Sequence, residues 1–170
     1  MNPFLHLLLV FAVVRCQTPV PDDGDEFNIE TEKVITFTQN QVIDMAERIM
    51  KTMDKSIESH NYTELINIHY PDFTFTFCQT EGKSMEGFKA YLDSDEMLKK
   101  VKRSKHTIMY NPQNGGVEKL DVHGFRFDYF KYFLLEDDHL LRTFGTIIVR
   151  TQYGIIEVVK AIEYCPTQIF

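Results

Sequence analysis

The chain has no tryptophan and only three cysteines, and basic residues are scarce: 18 Lys and Arg against 25 Asp and Glu, for a formal charge of -7. An acidic surface of this kind repels phosphate backbones, so nucleic acid is not an expected partner. No run approaches the roughly 20 apolar residues that a membrane core requires. The phosphate-cradling patterns GxGxxG and GxxxxGK[ST] are absent, as are the helical zinc pair HExxH and the nucleophile elbow GxSxG. Nucleotide cofactors, and a serine hydrolase centred on such an elbow, are therefore not indicated. His60, His69, His106, His123 and His139 show no two-ligand helical spacing. They read as surface or turn residues, and neither a metal nor another cofactor is expected.

What is present begins with an address. Residues 1–16, MNPFLHLLLVFAVVRC, hold an apolar run from Phe4 to Val14 that ends in small residues. This predicts a secretory signal peptide cleaved before Gln17, with Val14 and Cys16 at the minus-three and minus-one positions. The expected location is extracellular, with no membrane anchor after cleavage. Removing Cys16 leaves Cys78 and Cys165, either a disulfide or two separate buried thiols. Asn61-Tyr62-Thr63 is the one glycosylation sequon, in what reads as an exposed turn.

Residues 17–36 form an acidic leader with two prolines and no periodicity, so it is expected to be flexible. One domain over residues 37–168 should follow. Thr38 and Gln41 spell a capping box, and Phe37 can staple onto Val42. Val42, Met45, Ala46, Ile49, Met50, Met53 and Ile57 then recur at helical spacing, which predicts an amphipathic helix from about Gln39 to Ser59 with its Met-rich stripe in the core. A shorter helix over Tyr62–His69 should stop at Pro71. Phe73, Phe75 and Phe77 alternate with Thr74, Thr76 and Cys78, the pattern of a half-buried strand. Ser84 caps a third helix that restarts at Ser94 and runs through Val101. Lys99, Lys100, Lys102, Arg103 and Lys105 then fall at its carboxyl end, where cations complement the dipole. Four strands close the chain as an antiparallel meander, near His106–Tyr110, Phe125–Leu135, His139–Thr151 and Ile155–Tyr164.

Lone carboxylates on these strands, Asp128, Glu157 and Glu163, are the residues in which desolvation could create an acid or base. Each also reads as ordinary strand polarity, with Asp128 placed to pair with Arg126. No catalytic residue is assigned.

The order of long helix, short helix, strand, third helix and meander resembles the nuclear transport factor 2-like fold. The residues that carry it are the Met-rich first helix, Tyr70-Pro-Asp-Phe-Thr-Phe-Thr-Phe77, Met85-Glu-Gly-Phe-Lys-Ala-Tyr-Leu92 and Gly154-Ile-Ile-Glu-Val-Val-Lys-Ala-Ile-Glu-Tyr164. The resemblance is to the small secreted members. It implies an α+β cone, a curved mixed or antiparallel sheet wrapped around the N-terminal helices, with the first and last strands as neighbours. That neighbourhood favours a Cys78–Cys165 disulfide. The implied interior wall is Phe73, Phe75, Phe77, Phe88, Tyr91, Phe125, Phe127 and Tyr129, around either a small apolar ligand or a filled core. The sheet would offer a face for a homodimer or another protein partner. Ketosteroid isomerases of the family carry their base late in the first strand, where this chain has Thr76, Phe77 and Cys78. No counterpart is assigned to the His and Asp of scytalone dehydratase-like members, either at His106 or at His123. The expected function is non-catalytic binding, with a small lyase or isomerase as the alternative.

Overall fold

A computed structural model describes residues 36–169, apart from 122 and 153. The segment read as a signal peptide, and almost all of the segment read as an acidic leader, lie outside the described residues. Helix α1 spans Gln39–Ser59 and starts as its cap predicts: the Gln41 amide donates to Thr38 Oγ1, and Gln41 Oε1 accepts from the Thr38 amide. It ends where His60 turns left-handed. Val42, Ala46, Ile49, Met50, Met53 and Ile57 are buried, so the methionine stripe is core. Asn61 is exposed in the turn between α1 and the short α2, Thr63–Asn67.

Strand β1 runs from His69 to Phe77. It begins ahead of Pro71, at a residue expected to be helical, because proline tolerates extended backbone and disfavours helix before it. β1 pairs with the hairpin strand β2, Thr80–Lys83, which the sequence reading missed. α3, Met85–Ser94, does not continue as a helix to Val101. A single 3-10 turn, Leu98–Lys100, leads straight into β3, Val101–Ile108. Val101 and Ser104 face inward, while Lys102, Arg103 and Lys105 are exposed. The basic cluster therefore lies along a strand at the sheet's margin, where lysines discourage edge-to-edge pairing.

The remaining strands are β4 (Val117–Asp121), β5 (Gly124–Leu135), β6 (Leu140–Gln152), β7 (Ile155–Glu163) and β8 (Thr167–Ile169). Among the described residues the sheet thus has eight strands rather than a first strand plus a four-strand meander. Its main path is β2-β1-β7-β6-β5-β3, with β4 on β5 and β8 on β6. The short strands pair with the ends of the two longest ones, where the longer neighbours do not reach. β1 and β7 are parallel and every other pair is antiparallel, giving a mixed, curved α+β sheet with α1 packed on β3 and β4. Cys78 and Cys165 are bonded, their Cα atoms 4.1 Å apart, beside the last residues of the β1/β7 pair.

On β5, Phe125, Phe127, Tyr129, Lys131, Phe133 and Leu135 all point inward. One of the six is a lysine. Arg126 on the opposite face pairs with Glu118 of β4 at 2.6 Å, not with Asp128, because strand register sets them directly opposite. Asp128 accepts from Thr146 instead.

Candidate functional site

Two polar groups interrupt the apolar interior between α1 and the sheet. The first joins α1 to β3. Asp54 Oδ2 lies 2.5 Å from His106 Nδ1, and Asp54 Oδ1 accepts from the Ser104 hydroxyl at 2.6 Å. Glu47 Oε2 is 3.1 Å from His106 Nε2, and the Ser104 amide donates to Glu58 Oε1 at 2.7 Å. The His106 and Asp54 side chains are only 10% and 14% exposed. His106 is thus no surface residue, contrary to the sequence reading, and His69 is another exception, buried with its Nδ1 2.6 Å from the Leu65 carbonyl.

The electrostatics of this group are those of an ion network. The Asp54 hydrogen bond raises the His106 pKa above the ordinary histidine value, outweighing burial, with Glu47 adding to the effect. Burial alone would raise the Asp54 carboxyl. Its hydrogen bond to His106, the charge of Lys131 and the Ser104 hydroxyl hold it below the usual range instead. A general base needs a nitrogen free to face substrate. Here carboxylates take both ring nitrogens, from opposite sides, so His106 is a cation that ties helix to sheet. The same opposition prevents the acids from converging on one point, and among the described residues no metal-holding cluster forms.

The second group lies deeper. Lys131 is 1% exposed, and burial lowers its pKa. Glu163, on β7, has its carboxyl pKa raised by burial. The Tyr129 hydroxyl donates to Glu163 Oε2 at 2.7 Å. Register explains this reach: Tyr129, Gly145 and Glu163 are aligned across β5, β6 and β7. A Cβ at Gly145 would come within 2.5 Å of the Tyr129 oxygen, so the missing side chain opens the path between the outer two. Lys131 and Glu163 line a cavity of about 30 Å³ with Met53, Ile57, Phe77, Phe88 and Leu98 among its apolar walls. That is room for a water or two, far below the ~300 Å³ of a drug-sized ligand site.

Of the residues expected to wall the interior, Phe73, Phe75, Phe77, Phe88, Phe125, Phe127 and Tyr129 are buried and Tyr91 is half-buried. They do not surround one space. Phe77, Phe88 and Tyr91 touch the small cavity, while Phe125 borders an open depression of about 460 Å³ beside Phe37 and Val42. Phe73, Phe75 and Phe88 fill one another's gaps, with centroids 5.0 to 5.8 Å apart. Sequence reasoning singled out Glu163 but missed Lys131, Asp54 and Glu47's role. The available signals were a lysine at an inward register position of β5 and an acidic row, Glu47, Asp54 and Glu58, at helical spacing beside the apolar stripe.

No protein-family model and no curated protein matches the sequence. Solved structures do match the fold. A nuclear transport factor 2-like protein of unknown function from Shewanella oneidensis MR-1 superposes with a TM-score of 0.60 at 9% identity, over 73% of this chain and 99% of that one. Hexachlorocyclohexane dehydrochlorinase LinA-type3 from Novosphingobium barchaimii LL02 gives 0.57 at 12% identity, over 77% and 92%. A third, a nuclear transport factor 2-like protein of unknown function from Exiguobacterium sp. 255-15, gives 0.51 at 17%, over 72% and 97%. The chain has the nuclear transport factor 2-like fold.

Proposed function

We propose that this is a secreted, non-catalytic domain that works by protein contact, pairing with a second copy of itself through the sheet face opposite the helices. The observation that carries the reading is that face's aromatic row. Phe130, Phe144 and Tyr164 lie side by side across β5, β6 and the end of β7, with adjacent centroids 5.6 Å apart. The Arg142 guanidinium lies 5.3 Å from the Phe130 ring centroid, and Tyr164 is 61% exposed. Aromatic residues with arginine at their margin are the side chains that dominate protein interfaces. The filled interior supports the same conclusion, because it leaves no space of ligand size beside the buried acid and base groups. An exposed disulfide and an exposed sequon at Asn61 fit an oxidising, glycosylating compartment.

Sedimentation of the protein from a secreting host tests this. A dimer is expected, and Phe144→Glu should convert it to monomer without loss of fold. A parent protein that is monomeric at high micromolar concentration ends the proposal.

One observation favours a small lyase or isomerase, the alternative reading: a His and an Asp do meet inside the fold, at His106 and Asp54. Both His106 nitrogens are engaged, however, and the cavity's lining includes neither residue.

A further inference from the structure

We propose that the basic strip from Lys99 to Lys105 is a binding site for a linear sulfated polysaccharide, which lies along the open edge of β3. This goes beyond the contact function and uses residues outside the aromatic row. It rests on the proposed extracellular address only for the choice of a sulfated chain over nucleic acid.

Five of the chain's 18 basic residues fall within these seven positions. They come as Lys99-Lys100, Lys102-Arg103 and Lys105, each group set off from the next by one buried residue, Val101 or Ser104. A regular strand would turn one of two consecutive residues inward. The register shift between Val101 and Arg103 breaks that alternation, so Lys102 and Arg103 are both exposed. All five cations therefore reach solvent along one edge, roughly 17 Å from end to end. β3 ends the sheet's main path, and among the described residues no strand covers its other side.

Guarding an edge against stray pairing takes a charge or two. Five within seven residues exceed that need and repel one another. Lys99 pairs with Glu96 at 2.7 Å and Lys102 with Asp138 at 3.5 Å, but both pairs are exposed and hold their cations weakly. Lys100, Arg103 and Lys105 make no ion pair among the described residues. A polyanion neutralises such a strip and gains by releasing its own condensed counterions. The acidic balance of the whole chain does not oppose this, because salt screens exposed charges farther away than about 8 Å. Lys- and Arg-rich segments of this length are the mark of heparin or nucleic-acid patches. In an extracellular setting the linear polyanion at hand is a sulfated polysaccharide.

The test titrates labelled heparin fragments with the purified protein between about 50 and 200 mM NaCl. Log Kd should rise with log salt with a slope of about 3 to 4, the value for five cations on a flexible polyanion. A triple variant, Lys100→Gln with Arg103→Gln and Lys105→Gln, changes only exposed side chains and should keep the parent's urea midpoint. It should bind at least about tenfold more weakly and lose about 2 from the slope. Glutamine at exposed Lys83, Lys89 and Lys160, on β2, α3 and β7, removes the same net charge and should weaken binding less than about threefold. A monomeric parent that binds heparin ends the dimer and supports this site, so the two proposals fail separately. This one is overturned if the parent does not bind heparin, or if the two triple variants weaken alike. It is equally overturned if desulfated heparin, single-stranded DNA or phosphatidylserine vesicles bind as tightly as heparin does.

Discussion

Replacing His106 by glutamine should cost stability in a way that depends on pH, and the structure fixes both size and sign. Glutamine retains a donor for Asp54 but no charge, so Asp54, only 14% exposed, is left as a buried anion with weaker support, and Glu47 loses its cation. Breaking a buried pair costs about 3 to 5 kcal/mol. Glu47 is 40% exposed, and solvent screens its share, so about 2 to 3 kcal/mol is expected near pH 5.5. The folded His106 pKa is raised, hence its stabilisation is complete below the unfolded value of about 6.5 and disappears as pH climbs through the folded value. Asp54, whose folded pKa is lowered, contributes above its unfolded value of about 4 and loses that contribution as pH falls through the folded one. The network is thus strongest between about pH 4 and 6.5. Urea unfolding of parent and His106→Gln at half-unit steps from pH 5 to 9 should show the gap between them narrowing to under about 1 kcal/mol at the alkaline end. A gap that stays constant across this range would mean that His106 is neutral in the fold and that the ion network is wrongly drawn.

His69 acts in the opposite direction. Burial lowers its pKa to about 4, so the unfolded chain takes up a proton near pH 6.5 that the folded chain refuses, and stability falls between those values by up to about 3 kcal/mol. His69→Phe, which preserves the stacking on Phe73 and Phe88, should flatten that acid limb in the same urea series; an unchanged slope would clear His69 of the effect. Gly145→Ala should destabilise by about 1 to 3 kcal/mol, because the new Cβ meets the Tyr129 hydroxyl and backbone on β7. Parent-like denaturation of that variant would show that Tyr129 has room to move.

How far the sequence could be read tracks the range of the forces involved. The α1 capping box joins residues three apart, and the Phe73, Phe75, Phe77 alternation is a local period, so both were plain. The disulfide needed only two cysteines and the neighbourhood of β1 and β7. β2, β4 and β8 are short and exist by pairing with the ends of longer strands, which no local pattern encodes. The start of β3 was hidden because Lys99–Arg103 reads equally well as a helix end, while His106, expected on a strand, meets Asp54 52 residues earlier by a long-range contact that no local pattern encodes. Lys131 was legible only as an exception, a charge occupying a core position in an aromatic row.

The parallel pairing of β1 with β7 also sets a schedule for the chain as it is made. Phe73, Phe75 and Phe77 are synthesised early and find β2 on one edge almost at once, but their other edge belongs to residues ending at Glu163. At ribosomal speeds of 5 to 20 residues per second, that partner emerges roughly 4 to 17 s later. Through that interval a phenylalanine-rich strand waits with one side open, and whatever shields it then governs how much of the protein reaches its final form.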